Sequence, residues 1–220
     1  MKSPIVFWFD PVSPFGYIGS IAIEKVAAKH DREVDWRPLL IGVTIMKVMG
    51  MKPLREYLLK WPYLQRDMQR LALYFDVPLK PHGLTGVNSL AACRAFLWIN
   101  QKNPAQARLF ARAIYAKLWT RSEDITPVES VVVEAEKLGL DGTPLRAALA
   151  GDALKQALES SVKEAVSKGV FGAPTFIADG EIFWGCDHIW MLEHWLETGG
   201  FSPMSAARLP VGQGGRQSSS

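Results

Sequence analysis

The feature that most restricts how this chain can fold is a hydrophobic period that changes twice. The first forty residues read strand, helix, strand: an apolar run Ile5–Phe9, a helix from Pro14 to about His30, and a second strand over Val34–Leu40. From about residue 43 to 167 the period is almost purely helical. It then returns to two in "APTFIADGEIFWG", where two short β runs flank Asp179-Gly180, the strongest local hairpin signal. A last helix from His188 to about Thr198 is stopped by Gly199-Gly200. With the helical block set aside, the order is β-α-β-β-β-α. This predicts an α/β fold split over residues 1–42 and 168–205, with residues 43–167 as a helical insertion.

Within the block, Leu64, Met68, Leu71, Ala72 and Phe75 trace one face of an amphipathic helix. Asn88 opens a further helix reaching about Asn100, and Asn103-Pro104 opens the next. Thr126-Pro127-Val128-Glu129 reads as a capping box with proline at its first helical position. Thr143-Pro144 starts another helix, and Asp152–Lys168 is closed by Gly169.

Composition narrows the partners. A chain of 220 residues with net charge +3 and no basic run points to no nucleic acid. The apolar run before Asp10 is too short for a signal sequence, and no stretch approaches the roughly 18 apolar residues of a membrane span. Cys93 and Cys186 lie far apart in no motif, which fits free thiols in a reducing, cytoplasmic compartment. Eight tryptophans imply a well-filled core or an aromatic pocket. The end, "GQGGRQSSS", predicts a disordered tail over 206–220.

Three stretches carry chemistry. Ser13-Pro14-Phe15-Gly16 sits where a strand runs into a helix, the place where thiol-disulfide enzymes keep C-x-x-C, yet it holds no sulfur. Serine before proline is also simply a cap followed by the first helical residue. Its position at the end of the first strand, the edge on which α/β sheets bind ligands, raises it above the chain's other caps. Ala173-Pro174, just before the third strand, is the second stretch, and a proline there is also an ordinary strand start. The third is "FWGCDHI", where Asp187 reads as a helix cap or as a holder for a group bearing both amine and carboxylate.

The stretches "FWFDPVSPFGYIGS", "YLQRDMQRLALYFDVPL", "LWTRSEDITPVES" and "GVFGAPTFIADGEIFWGCDHI" follow in order from about residue 5 to 198. Together they resemble the kappa-class glutathione transferase branch of the DsbA-like superfamily, and most of all its 2-hydroxychromene-2-carboxylate isomerases. The resemblance implies a thioredoxin-like fold interrupted by a large all-helical insertion, with Pro174 held cis opposite the helix start. It implies glutathione as cofactor, its sulfur on Ser13 at the start formed with Pro14 and Phe15. By position, the Ala173 backbone next to Pro174 takes the cysteinyl unit, and Asp187 and His188 take the γ-glutamyl end, with Cys186 next to them counted in the glutathione site. Members of the family often have asparagine where this chain has Met51, which offers only its backbone. Cys186 also reads as a small buried hydrophobe.

No histidine lies near Ser13 in sequence, so the serine reads as a hydrogen-bond donor to a thiolate rather than as a nucleophile. The expected activity is glutathione-dependent isomerisation of a small aromatic carboxylate in aromatic catabolism. Lys47, Arg55, Lys60 and Asn88 are the polar candidates for the substrate, and Trp8, Phe15 and Trp184 the candidate walls. No metal is expected, and a homodimer is compatible with the family. A kappa-type transferase or peroxidase shares the same chemistry. A non-catalytic module that binds peptides along Ala173-Pro174 is the reading from a different class.

Overall fold

A computed structural model describes residues 2–202 of the chain, so the tail expected over 206–220 lies outside the described residues. Four strands form one mixed sheet in the order β2-β1-β3-β4, with β1 Ile5–Phe9, β2 Val34–Pro38, β3 Thr175–Ala178 and β4 Glu181–Trp184. β1 runs parallel to β2 and antiparallel to β3, with Phe7 opposite both Trp36 and Phe176. The two halves of the sequence therefore meet along β1. Between β3 and β4, Asp179 (φ 51°) and Gly180 (φ 90°) both take the left-handed conformation that a two-residue hairpin requires, which explains the Asp-Gly pair.

The helices are α1 Pro14–Lys29, α2 Lys60–Tyr74, α3 Leu90–Asn100, α4 Pro104–Trp119, α5 Val128–Glu136, α6 Gly142–Ala150, α7 Asp152–Ser167 and α8 Ile189–Thr198. A π-helical turn over Gly42–Val48 and a 3-10 turn over Leu54–Glu56 bridge β2 to α2. Three start signals resolve differently from the sequence reading. Thr126 accepts the Asn88 N–H (3.0 Å) instead of capping α5, whose cap position is Pro127. Asp141 caps α6 through the Thr143 N–H, placing Thr143-Pro144 inside the helix. Asp187 lies in a 3-10 turn, Cys186–His188, and α8 starts after it without a side-chain cap. In the first case a distant amide claims the threonine oxygen, and in the second a neighbouring carboxylate claims the exposed amide.

Strand alternation divides the core. Ile5, Phe7 and Phe9 face the side on which α1, α3 and α4 pack. There Phe7 lies against Trp36 (4.7 Å) and Phe176 (5.2 Å), and Phe9 against Phe96 of α3 (4.9 Å). Each fully buried aromatic of this kind is worth about 1.5–3 kcal/mol. Trp8 points the other way, into a smaller cluster with Leu39, Ala165 and Val170. The main cluster is continuous from the sheet through α3, α4 and α5, so the helical segment and the strands share one hydrophobic core.

Candidate active site

Ser13 is the N-cap of α1, with Pro14 as its first helical residue. Its Oγ accepts the Gly16 N–H (3.0 Å) and donates to the Ala173 carbonyl (2.8 Å), so it bridges the helix start to the turn before β3. The Ala173-Pro174 peptide is cis, as expected. The Pro174 carbonyl accepts the Gly185 N–H (2.9 Å), which draws the Cys186–His188 turn toward the same edge. Ser13, Ala173, Pro174 and the Asp187 turn are therefore linked by one short chain of hydrogen bonds. The backbone N–H groups of Phe15 and Ala173 find no partner among the described residues.

The serine turn is held from beneath by the helical segment. The Asp10 carbonyl accepts the Ser13 N–H (2.9 Å) and the Tyr115 hydroxyl (3.2 Å), and the Pro11 carbonyl accepts the Trp119 indole N–H (2.9 Å). Both aromatic donors belong to α4. The Asp10 carboxylate, 1 % exposed, accepts from Ser89 Oγ (2.5 Å), the Ile41 N–H (2.8 Å) and the Val12 N–H (3.2 Å). Burial pushes its pKa from 3.8 up to about 6, against these three bonds, which pull it down. A change from 3.8 to about 6 means the ionised form costs the folded state about 3 kcal/mol at neutral pH.

Asp10, Ser89, Tyr115 and Trp119 were not among the residues singled out from sequence. A carboxylate closing the β1 run next to the serine turn was a usable signal for Asp10. Nothing local marks its partner Ser89, 79 residues away.

The other candidates scatter. The Met51 N–H is bonded to the Ile45 carbonyl (3.0 Å). Phe15 is half-buried and packs on the core. Asp187 and His188 side chains stand about half exposed, 3.5 Å apart. Asn88 caps the turn before α3 through the Leu90 N–H (3.2 Å). Lys47 and Arg55 are exposed, and Lys60 lies over the Tyr57 ring (5.5 Å); none of the three forms an ion pair among the described residues. Trp184 is half exposed beside Phe171 (5.0 Å) and lies against Gly172, next to Ala173. Trp8 is wholly buried and cannot be a pocket wall: as the residue between Phe7 and Phe9 it faces the opposite side of the sheet. None of the four histidines bonds Ser13 among the described residues.

The side chain of Cys186 is sealed in the core, and burial pushes its thiol up to about 12; Cys93 is likewise buried and pushed up. Both thiols are thus expected to stay unreacted with a soluble disulfide reagent in the native protein at pH 7.5, and both to react after denaturation. Fast native labelling of either one would contradict this burial.

A family model described as the DSBA-like thioredoxin domain matches residues 4–197. The chain is 29 % identical over 201 residues to a 2-hydroxychromene-2-carboxylate isomerase of Sphingobium xenophagum, covering 89 % of this chain and 99 % of that protein. It is 27 % identical over 215 residues to human glutathione S-transferase kappa 1, covering 92 % and 95 % of the two chains. A solved 2-hydroxychromene-2-carboxylate isomerase superposes with a TM-score of 0.79 at 25 % identity, over 88 % of this chain and 94 % of that one. The split sheet, the cis proline opposite the α1 start and the helices between β2 and β3 are accordingly those of a DsbA-like thioredoxin fold, and the chain belongs to the DSBA-like thioredoxin domain family.

Proposed function

We propose that this protein is a glutathione-dependent isomerase of the 2-hydroxychromene-2-carboxylate type, in which Ser13 holds the glutathione sulfur. The carrying observation is the Ser13 hydroxyl itself, shared between the Gly16 N–H and the Ala173 carbonyl, with no sulfur at position 16 and no base bonded to it. A serine so placed lacks the partner that a hydrolytic nucleophile needs. It can instead turn its O–H from the Ala173 carbonyl toward an incoming anion. The half-exposed Ala173, with its unpartnered N–H, suits an extended peptide, and the exposed Asp187 carboxylate suits an amine. These residues fit glutathione, whose thiolate would supply reversible addition to a conjugated carbon, so that a double bond becomes single, rotates and re-forms.

The energetics are within reach of this chain. A thiol near pKa ~8.5 needs about 2.7 kcal/mol to come down by ~2 units. The start of α1 carries no acidic residue in its first turn and supplies ~0.3–1 kcal/mol to an anion. One charge-assisted hydrogen bond from Ser13 adds ~1.5–3 kcal/mol. The two together suffice, and the helix alone does not. Lys47, Arg55 and Lys60, which form no ion pair among the described residues, are the cations we assign to the substrate carboxylate, with Trp184 and Phe15 as apolar walls. We take the cytoplasm as the compartment, where two unpaired thiols are at home.

The transferase reading stays alive because the human kappa-class relative is nearly as similar as the isomerases. Calorimetric titration with glutathione at pH 7.5, with thiolate absorbance recorded on the same samples, tests the shared part. Binding with a thiolate band is expected. Incubation with 2-hydroxychromene-2-carboxylate then separates the two activities: an isomerase leaves the glutathione concentration unchanged, and a transferase consumes it. No binding at millimolar glutathione would sink both and leave the peptide-binding module.

A further inference from the structure

The Ser13 turn rests on a buried carboxylate for which the thiolate chemistry above has no use. We propose that Asp10 is a positioning residue and proton partner of this site: its carboxylate ties the serine turn, the segment after β2 and the start of α3 into one cage, and it takes up a proton when a thiolate is held at Ser13. This inference rests on the reading of Ser13 as a thiolate holder.

Three bonds reach the carboxylate, from Val12, Ile41 and Ser89, and each comes from a different piece of the chain. The backbone of the same residue holds the Ser13 N–H. No lysine, arginine or histidine bonds it among the described residues, so no cation compensates its charge. The titratable groups that face it are Cys93 of α3 and Tyr115 of α4, both buried and both pushed well above their ordinary range, hence neutral. Trp119, the other α4 residue at the turn, does not titrate. Among the described residues the only uncompensated ion under the turn is thus Asp10, and with a pKa of about 6 it is largely ionised at pH 7 in the free protein.

A thiolate held at Ser13 is a like charge added to a turn that also carries the buried Asp10 carboxylate, and interacting acids of this kind titrate as a pair. The proton balance is simple. The S–H bond of the incoming thiol breaks, an O–H bond forms on Asp10, and the net charge of the site is unchanged. The Ser89 hydroxyl still accepts or donates to the protonated form, so the cage survives the change. An enzyme without this partner must release the whole proton to solvent.

The test is glutathione binding by calorimetry at pH 7 in phosphate and in imidazole, whose different ionisation enthalpies yield the number of protons exchanged. Free glutathione thiol is mostly protonated at this pH, so binding as thiolate releases about one proton unless the protein takes it up. For the unaltered protein we expect roughly half a proton or less to appear in solvent. Asp10→Asn, if it folds, should release about one. Ser89→Ala leaves the carboxylate in place but removes a bond that favours its ionised form, so less of Asp10 is free to take up a proton and release should rise above that of the unaltered protein. Equal proton release by all three proteins, with binding and the thiolate band intact, overturns the proposal and leaves the Ser13 reading standing. Absence of any glutathione binding by the unaltered protein overturns both.

Discussion

Ser13→Ala is expected to lower glutathione-dependent kcat/KM by about 10–150-fold, the equivalent of one charge-assisted hydrogen bond of ~1.5–3 kcal/mol to the thiolate. The same substitution removes the cap of α1, because Ser13 Oγ accepts the Gly16 N–H. Loss of a serine cap costs about 1 kcal/mol, so the melting temperature should fall by only a few degrees. The two effects are separable. Glycine at a cap position costs only a few tenths of a kcal/mol relative to serine. Ser13→Gly should therefore melt near the unaltered protein and still show the full catalytic loss, together with a weakened thiolate band. If glycine restored activity along with stability, Ser13 would be a cap and nothing more.

What was readable in advance follows the range of each interaction. β1, α1, β2 and the β3–β4 hairpin rest on neighbours in sequence: the alternation of Phe7 and Phe9, the Ser13-Pro14 cap, and two left-handed residues at Asp179-Gly180. The α4 start was equally legible, since Asn103 accepts the Gln106 N–H three residues on. Competition between nearby polar groups was not. Thr126 had a local amide to cap, but the fold brings the Asn88 N–H to it from 38 residues away. The wall assignment for Trp8 ignored information already present, because a period of two puts it across the sheet from Phe7 and Phe9. At the site, Ser13, Ala173 and Pro174 could be named from motif position. The Asp10–Ser89 pair and the α4 rings beneath them could not, because they are assembled only when the helical segment folds back over the end of β1.

Gly16→Ala is expected to destabilise the protein by about 2–4 kcal/mol, lowering its melting temperature by roughly 5–15 °C. A Cβ at position 16 would stand 2.6 Å from the Tyr115 hydroxyl oxygen and 3.1 Å from the Ser13 Cβ. A tyrosine ring on the surface would swing aside, but Tyr115 is fully buried, lies 5.7 Å from the Tyr17 ring and 6.2 Å from Phe9, and donates to the Asp10 carbonyl. Moving it costs overpacking strain and strands a buried hydroxyl, each worth about 1–3 kcal/mol, against a gain of less than 1 kcal/mol from replacing helical glycine by alanine. Tyr115→Phe removes the oxygen in the way. Alone it should cost about 1 kcal/mol, since the Asp10 carbonyl keeps its bond from the Ser13 N–H. Combined with Gly16→Ala it should cost much less than the two single changes together, with a coupling of about 1–3 kcal/mol by denaturant unfolding. Additivity within about 0.5 kcal/mol would mean that position 16 tolerates a side chain and that the clash is relieved elsewhere. The same geometry bears on chemistry, because a cysteine at position 16 needs that Cβ before it can offer a sulfur. In this chain the fourth position of the turn is occupied from behind by Tyr115, so a second thiol beside residue 13 comes only at the expense of the bond that holds the serine turn in place.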